Sequence, residues 1–486
     1  MDLTKIYGIE FDEAVLRGGE KRICDAAGLE NDYVVGQAFQ KHSGKNDFDN
    51  AYPFGAMRLC NVSYRDGVRH VIYENEPGFT RTGESGNAMV EIPKFYSRRE
   101  KIGTVERWMI SGTKHPGFEI EPAFLRGEQE LDVIYVGCYN TTSKGNGLFS
   151  SAGEHPDTAQ GLAQFREEFT SAGYDSYDLA IYLCLQKLIV IEFGTRYVKQ
   201  HLGGIGYLRY AWAVTPGSMI THMGPNRVTV NVLNWGDHFA PGHEIALGHN
   251  QWDTSLHRTV TKVEFHPDDS TKVDIYYDGE DLQGTIFPET DAAYGMPQKN
   301  GLSDSIGYHT GRTDLRSLDP SIDYLVNAFR YRGIENVWGS VWELMDGLRI
   351  KNLQYCFTFD PEHYADETAE SWNKTTFKAP NQPYLTARSK ALWIDSMGFD
   401  PDHPLVMLPV HSTGDQYTYG IGYDSVVYAY DDVNYDNQPV DRDYEWRFSV
   451  GGGWDHSVFG SLFSCRGFMR ENKANWLYSS RVCLRR

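Results

Sequence analysis

The apolar positions of this chain mark short strands along most of its length and a helical period over one stretch. Lys5-Ile6-Tyr7-Gly8-Ile9-Glu10-Phe11 is a short apolar run broken by glycine and an acid. Met89 to Tyr96 begins another strand-like segment, and Leu131 to Cys138 alternates and is bounded by acidic and turn residues, which predicts a strand. Two helices are predicted next. The first spans about Thr158 to Ser171. The second opens at Asp175 or Ser176, either of which can accept free first-turn N–H groups. Leu179, Leu183, Gln186, Val190, Phe193 and Tyr197 recur at steps of three or four, and Gly203-Gly204 supplies the stop. From about 222 to 300 the period returns to two, in Val228 to Val232, Val260 to Phe265 and Val273 to Tyr277, with a turn at Asp278-Gly279. Beyond 300, Gly, Asn, Asp and Pro become dense, which predicts loops with short strands. The pattern implies a small N-terminal β-rich attachment domain over 1–88, closed by a joint at Gly83 to Asn87. A main domain over 89–486 follows, interrupted by a small β insertion at about 222–300.

Composition narrows the function. With 486 residues the chain can hold more than one domain and a substantial core. Aromatics reach 14%, including 31 Tyr, which suits a surface that is apolar and still hydrogen-bonds. A net charge of -20 argues against a nucleic-acid partner, because phosphate contacts need clustered Lys and Arg. Met1 to Phe11 is polar, which predicts no secretory leader, and no run approaches the roughly 18 apolar residues of a membrane span. The 7 cysteines form no CxxC pair and no even framework, so neither a zinc module nor a disulfide scaffold is expected, and the chain reads as made in a reducing cytosol.

Two passages are unusual. One is Gly333-Ile334-Glu335-Asn336-Val337-Trp338-Gly339-Ser340-Val341-Trp342-Glu343, in which Trp338, Val341 and Trp342 should fill a core while Gly339 allows close backbone approach. The other is Gly451-Gly452-Gly453-Trp454, followed by Cys465-Arg466-Gly467-Phe468 and Ser480-Arg481-Val482. The Asn336 to Glu343 passage resembles the GNVWEW signature of the formylglycine-generating-enzyme branch of the C-type lectin fold. Gly452-Gly453-Trp454 and Arg481-Val482 resemble its GGSW and GFR elements. Trp454-Asp455-His456-Ser457 to Arg486 is similar to the variable region of diversity-generating-retroelement proteins. These are phage-tail or cell-surface binders whose C-terminal loops are rewritten by adenine-directed mutagenesis. Asn46 to Asn50 and Met89 to Tyr96 also resemble tail-associated proteins of gut-bacterial prophages. The resemblance covers roughly 89–486. It implies an α+β chain with a C-type lectin fold of the formylglycine-generating type, the β insertion and the N-terminal β-rich domain.

No cofactor is expected, because the chain departs from the family's close cysteine pair: Cys465 has no near neighbour, and the next cysteine is Cys483. His238, His243 and His249, with Asp237 and Glu244 nearby, match no metal-binding spacing and read as loop histidines, so no metal is expected. Gln438-Pro439-Val440 departs from the Gln-Pro-Asp that holds Ca²⁺ in sugar-binding relatives, and the surrounding Asp431, Asp432, Asp436, Asp441 and Asp443 read as a solvated acidic loop. Tyr417, Tyr419, Tyr423, Tyr428, Tyr430, Tyr435 and Tyr444 among Gly, Asp and Asn have the composition of a paratope; packing of these rings on the core is the alternative.

The expected ligand-binding residues are Tyr444, Trp446, Arg447, Asp455, His456, Ser457, Val458, Phe459, Ser464, Arg466 and Phe468, a mixture without shared periodicity that suits a contact patch. Trp454, Leu462, Phe463, Trp476 and Val482 are the scaffold holding it. The function expected is receptor binding, not catalysis, on a phage tail or, alternatively, a bacterial cell surface. The expected partners are a bacterial surface receptor (protein or glycan), other virion proteins and two further copies in a homotrimer, with no membrane insertion. A formylglycine-generating-type oxidase and a structural tail protein without ligand are the alternatives.

Overall fold

Hydrophobic alternation on this scale produces a β protein. The structure, a computed structural model, describes all residues except 16–17, 32–45, 145–146, 159, 205–218, 232–238, 240, 250–255, 314, 317–324, 327, 352–353, 367, 369, 379–391, 414–425, 429–444, 454–459, 470, 472–473 and 475–476. Among the described residues strands make up 42% and helices 13%, so the expected α+β class is corrected to a β-rich antiparallel sandwich. The paired helices that suggested α+β are brief insertions between sheets.

Four larger sheets carry the fold. A five-stranded sheet runs in the order Lys21–Cys24, Ile6–Asp12, Val105–Ser111, Tyr96–Ile102, Glu119–Ile120. A six-stranded sheet runs Asp175–Ser176, Val482–Leu484, Val133–Gly137, Asn87–Pro93, Arg58–Arg65, Val68–Tyr73. The largest sheet has nine strands and is centred on Trp342–Lys351, Glu445–Val450 and Cys465–Met469. A further six-stranded sheet, with strands from Ile220–Gly224 to Ala292–Gly295, has its own apolar core of Val228, Val230, Ile245, Val273 and Ile275.

The expected joint at Gly83 to Asn87 does not separate two packing units. Ile6–Asp12 pairs along its length with Val105–Ser111, and Arg58–Arg65 pairs with Asn87–Pro93. One core runs from Tyr7 through Trp108 and Ile189 to Phe463 and Cys483. Residues on both sides of the joint therefore share hydrogen bonds and buried surface.

Helix α1 (Leu162–Ser171) buries Leu162, Phe165 and Phe169 against Cys60, Met89, Trp342 and Val482. Helix α2 (Leu179–Phe193) is capped by Asp178, whose carboxylate accepts from Ile181 N at 2.9 Å. The expected caps differ because Asp175 and Ser176 pair as a strand with Cys483 and Val482. α2 ends at Gly194, in the left-handed region at φ 68°. The stripe that extends to Tyr197 therefore crosses a stop, and Gly203 closes only the single turn α3 (Lys199–Leu202). Every residue of α2 is buried, because it packs against Ile6–Asp12 and Val105–Ser111 of one sheet, Trp342–Lys351 of another and the turn Pro122–Phe124, so that its Gln186, Lys187 and Glu192 lie inside the protein. No helix among the described residues is long and apolar enough to cross a membrane.

The tryptophan passage fills the core as its composition requires: Trp338, Val341 and Trp342 are buried. Trp338 lies against Phe329 with ring centres 4.2 Å apart and donates from Nε1 to Gly203 O at 2.7 Å. Gly339 N donates to the carbonyls of Gly451 and Gly452 at 3.0 and 3.1 Å, and a Cβ at Gly460 would sit 3.1 Å from Gly339 Cα. Glycine is required where these backbones touch.

Charge is buried along with the apolar residues. Arg99–Glu106, Lys187–Glu121, Arg332–Glu192, Arg481–Glu343 and Arg485–Asp178 pair at 2.6–2.9 Å, with no side chain above 4% exposed. Removing one partner leaves the other buried and uncompensated. Arg485→Met should lower unfolding free energy by about 3–5 kcal/mol, with Arg485→Met/Asp178→Asn recovering part of the loss. Urea denaturation tests this; equal stability of Arg485→Met and the parent chain would contradict it.

Candidate functional site

The expected contact face divides into parts. Tyr444 and Asp455, His456, Ser457, Val458 and Phe459 lie outside the described residues, as do Trp454, Trp476 and the acidic stretch 429–444. Trp446, Arg466 and Phe468 lie on the adjacent strands Glu445–Val450 and Cys465–Met469. Arg447 and Ser464, at 1% and 0% exposure, are buried within the chain's own packing. The Arg447 guanidinium lies 5.2 Å from the Trp372 ring centre and 3.7 Å from Glu471. Ser464 Oγ accepts from Ser461 N at 3.1 Å. A short polar side chain on a tight turn gains more from the local hydrogen bond than from exposure.

The histidine group does not converge. His243 is buried ahead of strand Glu244–Gly248, while His249 follows it, largely exposed, with Nδ1 2.7 Å from Asp291 Oδ1. His238 and Asp237 lie outside the described residues. Among the described residues no three His, Cys, Asp or Glu side chains are arranged to hold a metal ion.

The structure instead forms a polar cleft of about 470 Å³ from segments far apart in sequence. Asp49 comes from the single turn Asp47–Asn50, Arg58 and Tyr73 from two paired strands, and Arg81 from the loop beyond them. Tyr308 and His309 face them, and Arg330 and Arg332 come from a hairpin. That hairpin pairs Phe329–Tyr331 with Ile334–Glu335 through the two-residue turn Arg332-Gly333, at φ 46° and 93°. Positive φ at both positions matches the twist of the strands, and glycine at the second makes the turn accessible.

Below the cleft, Arg332 donates Nε and Nη2 to the two oxygens of Glu192, each at 2.7 Å, and Nη1 to Phe54 O at 2.9 Å. Burial raises the Glu192 carboxyl, but the Arg332 guanidinium, with hydrogen bonds from Asn46 and Tyr331, holds it below its ordinary value. Asp49 accepts from Tyr308 OH, from Arg332 Nη2 at 3.2 Å, and meets His309 Nε2 at 2.9 Å. Partial burial opposes its ionisation, but the hydrogen bonds from His309 and Tyr308 and the charges of His309 and Arg332 bring it down to about 2. Across the cleft, Arg58 lies 3.8 Å from the Tyr73 ring centre and donates Nε to Glu91 at 3.1 Å. Burial and the hydrogen bond to Glu91 push the Tyr73 hydroxyl up to about 12, so it remains a donor.

Glu335 pairs with Arg330 across the hairpin, and its carboxylate accepts from Gly301 N and Ser303 N, each at 2.8 Å, and Ser303 Oγ at 2.5 Å. These bonds fix the turn that carries Asp304, which pairs with Arg81 at 2.9 Å.

No protein-family model matches the sequence and no curated protein matches it.

Sequence reasoning missed the cleft because its walls meet only after folding. Two signals were present: the Asn46 to Asn50 run, already singled out, and Arg332-Gly333 at the start of the tryptophan passage.

Burial pushes the Glu335 carboxyl from 4.5 up to about 7 despite its donors. The unfolded chain ionises near 4.5 and the folded chain only near 7. The stability of the neutral form is therefore present below 4.5 and lost as pH rises through about 7. Glu335→Gln stays neutral, so its stability relative to the parent should rise across that window. Thermal unfolding from pH 4.5 to 8 checks this; parallel curves would refute it.

Proposed function

We propose that this chain is a receptor-binding protein whose contact face lies in the closing segment around 444–468, with the rest of the fold as its support. The setting is a phage tail or bacterial cell surface, and the binding is of the kind that diversity-generating retroelements vary. The sequence supports this through the likeness of Trp454 to Arg486 to such variable regions. One structural observation carries the reading. Strands Glu445–Val450 and Cys465–Met469 are paired neighbours in the nine-stranded sheet, and Phe448, Val450, Leu462, Phe463 and Cys465 are buried. A segment held this way can change its side chains without moving its frame, which is how binding specificity varies on a fixed scaffold.

The oxidase reading is weaker. Its chemistry needs accessible thiolates, and burial pushes the Cys483 thiol well above its ordinary value, while Cys465 is 2% exposed. Assembly as a trimer on a tail or cell surface would multiply weak single sites.

The purified protein should bind intact cells of a host strain, and Phe459→Ala with Phe468→Ala should weaken binding at least about tenfold without lowering the melting temperature. Asp455→Ala/His456→Ala gives an independent check on the same segment. Undiminished binding by both folded variants would remove the contact face from 444–468. Copper-dependent oxygen consumption would replace the binding reading with the oxidase.

A further inference from the structure

We propose that the polar cleft binds a small zwitterion carrying a carboxylate and an ammonium group, of the α-amino-acid or dipeptide class. None of its residues belongs to 444–468, so the inference stands apart from the proposed contact face.

Hydrogen-bonding capacity in the cleft is unevenly used. Asp49 is occupied by Tyr308, His309 and Arg332, and Arg332 by Glu192 and Phe54 O. Arg330 is different. It is 6% exposed, yet its strong hydrogen bonds go to neutral carbonyls, from Nε to Tyr308 O at 2.7 Å and from Nη2 to Ile306 O. Its Nη1 reaches a carboxylate only at 3.8 Å, on Asp304, which also serves Arg81 and Tyr139. A nearly buried guanidinium with an under-paired end favours a ligand oxyanion. Arg58 adds a second donor: its Nε and Nη2 are engaged, and its side chain is 54% exposed.

The acceptor side is Glu74. Its side chain is 48% exposed, and one oxygen takes Arg81 Nη2 at 2.5 Å. The Arg81 guanidinium bridges Glu74 and Asp304, so the under-paired end of Arg330 and the exposed carboxylate of Glu74 lie on either side of it. Across the wall the charges nearly cancel, four arginines against five acids: Arg58 with Glu91, Arg332 with Glu192 and Asp49, and Arg81 and Arg330 with Glu74 and Asp304. A purely anionic ligand gains no net field in such a site. A ligand with an oxyanion for Arg330 and Arg58 and an ammonium for Glu74 matches both the local groups and the overall balance. The volume of about 470 Å³ suits a small molecule and is within the usual range for ligand pockets.

Calorimetry and thermal shift on the full chain test this with the twenty amino acids and a set of dipeptides. For each binder, the acid lacking the amino group and the amine lacking the carboxylate serve as comparators, with neutral disaccharides as a further arm. At least one zwitterion should bind, and both half-ligands should bind at least about tenfold more weakly. Glu74→Gln, at a half-exposed position, should weaken that binding about tenfold while leaving the melting temperature of the free protein unchanged, and Arg58→Gln, which also loses its pair with buried Glu91, should weaken it about tenfold in the folded protein. No binding by any amino acid or dipeptide would overturn the proposal. So would equal affinity for the des-amino acids, which would make this an anion site, or preference for the disaccharides.

Discussion

The fold depends on ion pairs that the chain closes inside itself. Arg481 donates Nε to Glu343 at 2.8 Å and reaches the carbonyls of Gly137, Glu335 and Asn336, so one guanidinium ties the tryptophan passage to the six-stranded sheet. Arg485 joins Asp178, the cap of α2, to the carbonyls of Pro122, Ala123 and Leu125. Such pairs add little to stability compared with an apolar core of the same shape, but they admit only one arrangement of the strands around them. Here Lys187–Glu121, Arg332–Glu192 and Arg485–Asp178 fix α2 against the elements around it. Both the closing segment and the cleft inherit their geometry from that arrangement.

Local pattern was legible and long-range pairing was not. The strands Arg227–Asn231, His257–His266 and Asp269–Tyr277 lie where a period of two places them, because each has one face on a small separate core. The burial of Trp338 and Trp342 was legible from residue type alone. The joint at Gly83 to Asn87 was misleading because glycines there permit a turn within one unit as readily as a boundary between two. Gly86, at φ 122°, has space only for hydrogen beside Val62 O. The class was misjudged because α2 reads as one face of an amphipathic helix, whereas it is buried all round.

Site residues show the same division. Arg447 looked like a surface anchor because arginine is rarely buried, yet its guanidinium lies over the Trp372 ring, 5.2 Å from the ring centre. The cleft was invisible because Asp49, Arg81, His309 and Arg330 meet only through tertiary structure. Charge composition hides it as well: a chain of net charge -20 gives no hint of four arginines around one cavity.

The strand Val482–Leu484 has a consequence for how the molecule is made. It lies inside its sheet, between Asp175–Ser176 and Val133–Gly137, so the sheet waits for residues that leave the ribosome long after their neighbours. Until then Val133–Gly137 has an open edge, and Glu343 and Asp178 lack their cations. Synthesis from the N-terminus therefore accumulates a long nascent chain that is sticky and incomplete, and its folding is slow because the decisive contacts join distant parts of the sequence. A copy interrupted shortly before that strand has the rest of the sheet and none of the closure, which makes it a substrate for chaperones and proteases instead of a functional shorter form.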